Sequence, residues 1–320
     1  MEKNSEQEAL WVKEIIKETF SEQKKARRWG VLFKSLTFIY LFIVLILFID
    51  SASDNDNSKK SAAHTAMVTV NGIITADQDA NANVIATGLR AAFANEFSRA
   101  VMLVINSPGG SPVQAGYVYD EIKRLRVLYP DKKVYAVIAE LGASGGYYIA
   151  AAADQIYADK ASLVGSIGVT ASSFGFVELM DKIGIERRHF TSGEHKAFLD
   201  PFSPSKEKER KFWQEVLDVT HQQFIKVVRE GRGERIAKGE SSSELYSGLI
   251  WNGEQALQLG LIDGLGSPGF VAREIVKAEN IIDYSVKPSA IEVLTNKLGL
   301  SIGAGIANQL KTENSDFQLR

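Results

Sequence analysis

An apolar run from Val31 to Ile49 constrains the fold of this 320-residue chain more than any other feature. Lys34 is its only charged residue, and at about 1.5 Å per residue the run would span roughly 28 Å as a helix, close to the hydrocarbon thickness of a bilayer. We predict an uncleaved transmembrane anchor over residues 30–50. A buried core helix, or a signal peptide cleaved near Ser51-Ala52-Ser53, would share part of this pattern.

The charges that flank the apolar run predict its orientation. Basic side chains precede it at Lys24, Lys25, Arg27 and Arg28, and acidic side chains follow it at Asp50, Asp54 and Asp56. Because positive charge is retained on the cytoplasmic side, residues 1–29 are predicted to be cytoplasmic and the chain after residue 50 to be exported. Small polar residues at 51–65 predict a flexible linker, which leaves a domain over 66–285 and a tail over 286–320.

Overall charge and the absence of cysteine exclude several classes of function. The net charge of −2 provides no basic field for nucleic acid, so no nucleic-acid partner is expected. Without cysteine there are no disulfides, thiolate metal sites or cysteine nucleophiles. The sequence shows no cluster of metal-ligating residues, and we expect neither a metal nor a cofactor.

From residue 66 onward, short β-rich runs alternate with helical stretches. Strands are predicted at 67–75, 101–106, 134–139 and 155–158, and helices at 82–98, 112–128, 145–153 and 174–183. This alternation predicts an α/β fold with a largely parallel sheet that helices cover.

Two helix starts are predicted from their capping residues. Ser111 precedes Pro112, and Gln114 follows three residues after Ser111, which is the pattern of a capping box. Ser203 precedes Pro204 and is predicted to cap a long helix, because proline is favoured at the first helical position.

A glycine-rich turn follows the predicted strand at 101–106, where α/β folds place catalytic groups. Its sequence is Ser107-Pro108-Gly109-Gly110. The N–H groups of Gly109 and Gly110 would be free to face a substrate at the positive end of a helix, as an oxyanion requires. The alternative is that the two glycines only form a tight turn.

Ser144 follows the next predicted strand and opens an alanine-rich helix. The segment Gly142-Ala143-Ser144-Gly145-Gly146 fits the G-x-S-x-G pattern of a nucleophile elbow, although that pattern also arises by chance. At a helix N-terminus the Ser144 hydroxyl would be exposed, and the Gly145 N–H would supply a second oxyanion donor. Ser144 is therefore the candidate nucleophile.

A serine nucleophile needs a base to remove its proton, and the chain offers two kinds. A histidine base with an acid is formally available, and the candidates are His189, His195 and His221 with Asp154 or Asp181. No local signature supports these combinations, and His221 fits an ordinary residue of the long helix.

A neutral lysine is the other kind of base. Its pKa would have to fall by about 2 to 3 units, which burial among apolar groups can produce. Lys196 precedes Ala197, Phe198 and Leu199, whereas most other lysines lie in charge-dense runs. An exposed surface lysine is the alternative interpretation of Lys196.

Five segments in order resemble the signal peptide peptidase A family of serine peptidases, which includes the single-domain SppA and SohB types. The segments are INSPGG, ASGGYY, DKASLVGSIGV, TSGEHKAFLDPF and GEQALQLGLIDGLG, and the resemblance covers residues 66–275. It departs from the family in IAELGAS, which places Glu140 near the site.

The resemblance implies a ClpP/crotonase-like α/β spiral fold and a Ser-Lys dyad. Ser144 corresponds to the nucleophile, Lys196 to the general base, and Ser166 to a hydroxyl that orients the lysine. Gly145 and the Gly109-Gly110 turn correspond to the oxyanion donors. Our interpretation adds an apolar substrate groove lined by three residues that would otherwise be plain core: Val164, Ile167 and Val169.

The resemblance also implies a substrate class and a location. Family members cleave remnant signal peptides and other apolar peptides at the membrane. We expect a single-pass protein of the bacterial inner membrane whose exported domain forms a homo-oligomer. The chain is about half the length of the duplicated forms, so a complete site comes from one domain or from neighbouring subunits.

Three other functions remain open from the sequence. One is an α/β-hydrolase esterase with Ser144 and a histidine, although an HGGG-type oxyanion signature is missing. The second is an acyl-CoA enzyme of the crotonase type, which also uses paired N–H groups. The third is a non-catalytic, membrane-tethered scaffold.

Overall fold

The computed structural model describes residues 24, 27–45, 61–236 and 244–287. The chain divides into two compact units, Met1–Ala62 and Ala63–Arg320. Most of the predicted cytoplasmic segment and linker, and the predicted tail after residue 287, lie outside the described residues. The predictions made for those parts therefore stay predictions.

The first unit contains one described helix, α1 (Arg27–Leu45), whose side chains are exposed along its whole length. The helix is long and apolar enough to cross a membrane. Such a helix near an N-terminus occurs both in membrane anchors and in signal sequences. It lies largely within the predicted anchor over 30–50, whose last residues are not described.

The second unit contains an eight-stranded sheet. Its strands are β1 (His64–Asn71), β2 (Ser98–Ser107), β3 (Lys133–Ala143), β4 (Gln155–Ala158), β5 (Leu163–Gly165), β6 (Ile250–Asn252), β7 (Gly264–Leu265) and β8 (Ile281–Asp283). Their order is β6-β5-β3-β2-β1-β8, with β4 paired to β3 and β7 paired to β4. Every pairing is parallel except β5 with β6, which confirms the predicted parallel sheet.

Helices connect and cover the strands of this unit. They are α2 (Ala82–Ala94), α3 (Pro112–Leu128), α4 (Gly145–Ala150), α5 (Val177–Lys182), α6 (Glu207–Arg232), α7 (Gly253–Gln258) and α8 (Pro268–Phe270), with a 3-10 turn at Gly233–Arg235 and a π-helical turn at Val271–Val276. The helix predicted at 112–128 is confirmed with both ends correct. The helix predicted at 82–98 ends earlier, because the Asn95 side chain accepts the Phe97 N–H and turns the chain toward β2.

The predicted helix caps were partly wrong. The Ser111 side chain does accept the Gln114 N–H, but the Gln114 side chain accepts the Ala82 N–H and does not complete a capping box. Ser203 does not cap α6, which begins three residues later than Pro204, at Glu207, with Lys206 at the N-cap position. The Ser203 hydroxyl is instead turned toward Asp200 and donates to its carboxylate at 2.7 Å.

Both faces of the sheet are covered, as a parallel sheet requires. Along β2, Val101, Leu103 and Ile105 belong to the main core with α2 and α3. Met102, between them, faces the opposite side and packs in a smaller core with Val137. The alternation follows from the two-residue period of a strand, which sends successive side chains to opposite faces.

Strand β3 changes partners along its length, and this change prepares the site. Its residues 135–138 pair with β4, whereas residues 141–143 pair with β5. The Ser162 hydroxyl donates to the carbonyl groups of Ile138 and Ala139 at the point of change. The last residues of β3 are thereby carried beside β5, so that the two strand ends lie next to each other.

Candidate active site

Ser144 lies at the turn between β3 and α4. Its backbone has φ 51° and ψ −122°, in the region that usually requires glycine. Such a conformation costs about 1 to 3 kcal/mol and persists only where neighbouring contacts hold it. Here the Ser144 N–H donates to the Gly165 carbonyl at 2.8 Å, and the Ser144 carbonyl accepts the Tyr148 N–H at 2.9 Å. The turn presents the serine side chain at the start of α4.

The glycine turn at 109–110 packs directly on Ser144. A Cβ atom on Gly109 would lie 2.6 Å from the Gly145 nitrogen and 2.7 Å from the Ser144 Cβ. A Cβ atom on Gly110 would lie 2.3 Å from the Ile74 carbonyl oxygen. Both glycines also have positive φ, 96° and 148°, so side chains are excluded there by contact as well as by backbone conformation.

The two N–H groups of the glycine turn have different partners. The Gly109 N–H donates to the Ser107 hydroxyl at 3.1 Å, and that hydroxyl donates to the Gly72 carbonyl at 2.6 Å. The N–H groups of Gly110 and Gly145 donate to no other described residue. The Gly110 nitrogen lies 3.4 Å from the Cβ position of Gly145. Gly110 and Gly145 thus provide the two free donors, and Gly109 supports the turn.

Ser166 lies beside Ser144 at the end of the neighbouring strand. Ala143 of β3 is in register with Gly165 of β5, so the next residue on each strand is one of these serines. Adjacent strands are about 4.8 Å apart, which brings the two serines close together. Ser166 also has a positive φ, 52°, and its N–H donates to the Leu249 carbonyl at 2.8 Å.

Ser144 and Ser166 line one cavity of about 550 Å³. Its other lining residues come from the glycine turn, α3, α4, the turn after β5, α6 and the segment before β6: Pro108, Gly110, Pro112, Ala115, Gly145, Tyr148, Gly168, Val169, Thr170, Thr220, Gln223, Phe224, Ser247 and Gly248. Neither serine hydroxyl has a hydrogen-bond partner among the described residues. The cavity therefore holds two unpaired hydroxyls next to two unpaired N–H groups.

The three residues predicted to line an apolar substrate groove lie in different places. Val169 lines the cavity, but Val164 and Ile167 are fully buried in the main core and do not line it. The reason is strand alternation, because Val164 lies within β5 and its side chain points into the core. The apolar wall consists of other residues, among them Ala115, Tyr148 and Phe224, and the rings of Tyr148 and Phe224 are 5.1 Å apart.

Lys196 does not line the cavity. Its side chain is exposed and makes no hydrogen bond or ion pair with a described residue. Arg187 connects the two sides of the segment that carries Lys196. It forms an ion pair with Asp200, and its guanidinium stacks over the Phe202 ring at 5.1 Å. Among the residues that the structure describes, none forms an apolar pocket around the lysine amine, and no contact joins that amine to Ser144.

The candidate histidines also lie elsewhere. His195 Nε2 is 3.6 Å from the exposed Glu194 carboxylate, and His189 Nδ1 is 2.8 Å from the Arg187 guanidinium. His221 Nε2 is 3.1 Å from the Ile167 carbonyl oxygen. Asp154, one candidate acid, pairs with Arg126 at 2.5 Å. None of these contacts forms the serine-histidine-acid chain that an esterase would need.

Two groups have shifted pKa values, one that lines the cavity and one at the end of α6. Burial raises the pKa of the phenol of Tyr148, a residue that lines the cavity, so this hydroxyl keeps its proton. For Asp263, burial raises the pKa, but hydrogen bonds and charge from Arg232 lower it more, so that the net shift is downward. Arg232 is 1% exposed and bonds both Asp263 oxygens, at 2.8 and 3.0 Å. This pair fixes the end of α6, the helix that forms one wall of the cavity.

Comparison with known proteins shows the family of the chain. Residues 128–281 match peptidase family S49, and residues 54–163 match the Clp protease family. A Methanocaldococcus jannaschii protein named "Putative protease MJ0651" is 32% identical over 218 residues, which are 66% of this chain and 68% of that protein. The chain belongs to peptidase family S49. The S49 assignment confirms the resemblance seen in the sequence and, with the Clp match, the ClpP/crotonase-like α/β fold.

Two further relatives are similar over shorter shares of their length. A Brucella abortus protein named "Na(+)/H(+) antiporter NhaA" is 47% identical over 178 residues, which are 56% of this chain and 24% of that protein. An Enterococcus faecium protein named "Putative signal peptide peptidase SppA" is 31% identical over 188 residues, which are 59% of this chain and 53% of that protein. The chain thus spans about a quarter to a half of the length of these two relatives.

Proposed function

We propose that this S49 chain is a membrane-anchored serine endopeptidase that hydrolyses apolar peptides, including remnants of signal peptides, at the membrane. The observation that carries the proposal is the Ser144 turn, where a strained serine lies beside two unpaired N–H groups in an open cavity. A hydroxyl held next to two donors fits attack on a carbonyl and stabilisation of the resulting oxyanion.

In the proposed reaction, Ser144 Oγ attacks the carbonyl carbon of the scissile peptide bond. A neutral Lys196 amine takes the hydroxyl proton, and the oxyanion accepts hydrogen bonds from the Gly110 and Gly145 N–H groups. The lysine returns the proton to the leaving amine, which gives an acyl-enzyme ester. Water then attacks the ester carbonyl while the lysine takes a proton from that water. As the intermediate collapses, the lysine returns the proton to Ser144 Oγ, which releases the acid and restores the serine hydroxyl. Ser166 holds the amine by a hydrogen bond.

The proposed base comes from a second copy of the chain. The exposed amine of Lys196 and the two unpaired hydroxyls in the cavity are complementary, because a lysine between Ser144 and Ser166 would supply a partner for both. The segment that carries Lys196 exposes two aromatic rings, with Phe190 91% exposed and Phe174 80% exposed. Covering that surface with another copy would also desolvate the amine, which lowers the pKa of a lysine toward the neutral range.

The proposed substrates and location follow from the cavity, the apolar helix and the relatives. Ala115, Tyr148, Val169 and Phe224 give the cavity an apolar wall that fits aliphatic side chains. The name of the Enterococcus relative refers to signal peptides. The basic residues before the apolar run support a cytoplasmic N-terminus in the bacterial inner membrane, with the catalytic unit over 66–285 exported.

A covalent probe tests the nucleophile. We expect a fluorophosphonate to add one adduct to the full chain in detergent, and intact-mass and peptide mapping to place it on Ser144. Ser144→Ala should abolish both the adduct and the hydrolysis of a fluorogenic peptide with aliphatic side chains. An adduct on a residue other than Ser144 would contradict the assignment of the nucleophile. So would full peptide hydrolysis by a chain that forms no adduct. Turnover of an acyl-CoA without peptide hydrolysis would favour the crotonase alternative.

A pair of neighbouring variants tests the base. Lys196→Ala should lower kcat by about 10²- to 10⁴-fold, the usual contribution of a general base. His195→Ala changes the adjacent exposed residue and should leave kcat within about twofold, because surface changes have small effects. The opposite outcome, with the histidine essential and the lysine dispensable, would overturn the dyad.

A further inference from the structure

Of the candidate histidines, His221 lies in α6, the helix that forms one wall of the cavity. It lies in α6 next to Thr220 and close to Phe224, both of which line the cavity. Its ring is partly buried, and Nε2 is 3.1 Å from the Ile167 carbonyl oxygen. Because a carbonyl oxygen can only accept a hydrogen bond, the proton must be on Nε2.

The Ile167 carbonyl belongs to the turn that carries Ser166. The Ser166 N–H is fixed by the Leu249 carbonyl, and the Ser166 carbonyl accepts the Gly168 N–H at 2.9 Å. Ile167 itself is fully buried. His221 holds the peptide group between Ile167 and Gly168 by a hydrogen bond to its carbonyl oxygen. This hydrogen bond fixes the orientation of the backbone that follows the strained Ser166.

We propose that His221 is a positioning residue, which holds the Ser166 turn against α6 by donating its Nε2–H to the Ile167 carbonyl. It touches neither substrate nor the reacting atoms. Its action passes through the Ser166 hydroxyl, and the inference therefore rests on the proposed function of that hydroxyl in orienting the base.

The consequence for activity differs from that of a structural defect. A correctly positioned Ser166 hydroxyl stabilises the neutral amine of Lys196. The rise of kcat/KM with pH then begins at a lower pH. When the turn is loosened, the amine should keep its proton to a higher pH, and the rising limb of the pH profile should move with it. Loss of folded protein would lower activity by the same factor at every pH.

The test measures kcat/KM against pH for the full chain in detergent with the fluorogenic aliphatic peptide. His221→Leu should lower kcat/KM about tenfold at neutral pH and move the rising limb up by about one pH unit. His221→Gln, whose amide donates from a similar distance, should restore most of the activity. Gln222→Leu changes an adjacent exposed residue of α6 and should leave the profile unchanged.

A double variant checks that His221 acts through Ser166. Ser166→Ala with His221→Leu should be no worse than Ser166→Ala alone, because effects that pass through one group do not add. Additive losses, or an unmoved rising limb, would overturn the proposal. Should His221→Leu fail to fold, His221→Asn takes its place, since its shorter amide cannot reach Ile167. Full activity of Ser144→Ala would overturn the proposed function instead, whatever the histidine variants do.

Discussion

The two halves of the candidate site differ in how the chain holds them. The half around Ser144 is enclosed by β2, β3, β5 and α6, and hydrogen bonds fix its turns on both sides. The half around Lys196 lies in a segment, 171–206, in which no residue is fully buried. The first half is thus determined by contacts within one chain, whereas the second lacks the surroundings that its proposed chemistry needs. The difference shows that the nucleophile and its base need not come from the same chain.

Mixing inactive variants would sharpen this comparison most. Ser144→Ala and Lys196→Ala should each lose at least about 10²-fold in kcat. When they are co-expressed, random pairing in a closed homo-oligomer should restore roughly one quarter of wild-type activity if the base comes from a neighbour. Peptide hydrolysis by the purified mixture measures this. Complete absence of recovery, in mixed oligomers shown to contain both variants, would place serine and lysine in one chain.

A buried ion pair tests how strongly the enclosed half is held. Asp263→Asn leaves Arg232 buried without its charge partner and should lower the free energy of unfolding by about 3 to 5 kcal/mol. Glu207→Gln removes one carboxylate of an exposed pair with Arg210 and should cost less than about 1 kcal/mol. Denaturant unfolding compares the two variants. Equal losses would show that burial does not distinguish the two regions.

The same carboxylate predicts a direction for the pH dependence of stability. The pKa of Asp263 is lowered in the folded chain, so the folded state favours the charged form. Its stabilisation is full above the unfolded pKa of about 3.9 and is lost as the pH falls through the folded value. Unfolding free energies measured from pH 6 downward should therefore fall more steeply in the wild type than in Asp263→Asn. If the free energy of unfolding falls with equal slope in the wild type and in Asp263→Asn, Asp263 does not cause this pH dependence.

Oxyanion stabilisation in the enclosed half should respond to a single methyl group. Gly110→Ala would bring a Cβ to 2.3 Å from the Ile74 oxygen, so the turn must shift and displace its free N–H. We expect kcat to fall by about 10²- to 10³-fold, the usual effect of losing one such donor. Gly116→Ala, with nothing within 4 Å, is the control and should leave kcat unchanged. Unchanged kcat in both variants would exclude the Gly110 donor.

The smallest expected effect on folding is in the exposed half. Phe190 is 91% exposed, so Phe190→Ser should change the free energy of unfolding by no more than about 0.5 kcal/mol. It should nevertheless weaken association between copies, which analytical ultracentrifugation would detect as a shift toward smaller species. If the variant unfolds readily but associates normally, the exposed half packs on its own chain and the comparison fails.

The sequence was most informative where local pattern decides structure. The parallel sheet, α3 and the Ser111 cap were predictable because strand alternation, proline and capping preferences act over a few residues. Glycine spacing placed Gly109 and Gly110 in one turn, but only the three-dimensional contacts of Ser107 show that the Gly109 N–H is already bonded. The predicted start of α6 was wrong because the Ser203 hydroxyl bonds to Asp200. Residue preferences at helix caps do not include such a contact.

The wall of the cavity could not be predicted, because it joins residues far apart in the chain. Thr220, Gln223 and Phe224 come from α6, and Ser247 and Gly248 come from the segment before β6. In the sequence, Phe224 is one more apolar residue of an amphipathic helix. The contact between His221 and Ile167 has no local signature either, since the two residues meet only when α6 packs against the turn after β5.

Helix α6 links the two halves mechanically. Its 26 residues extend for about 39 Å, from the end of the lysine segment, past the cavity wall at Phe224, to the anchored Arg232. One end of the helix is held by the Arg232–Asp263 pair, and near the other end Phe212 and Trp213 pack on Phe198 of the segment that carries Lys196. A neighbouring copy that docks on that segment would therefore contact the same helix that forms one wall of the cavity.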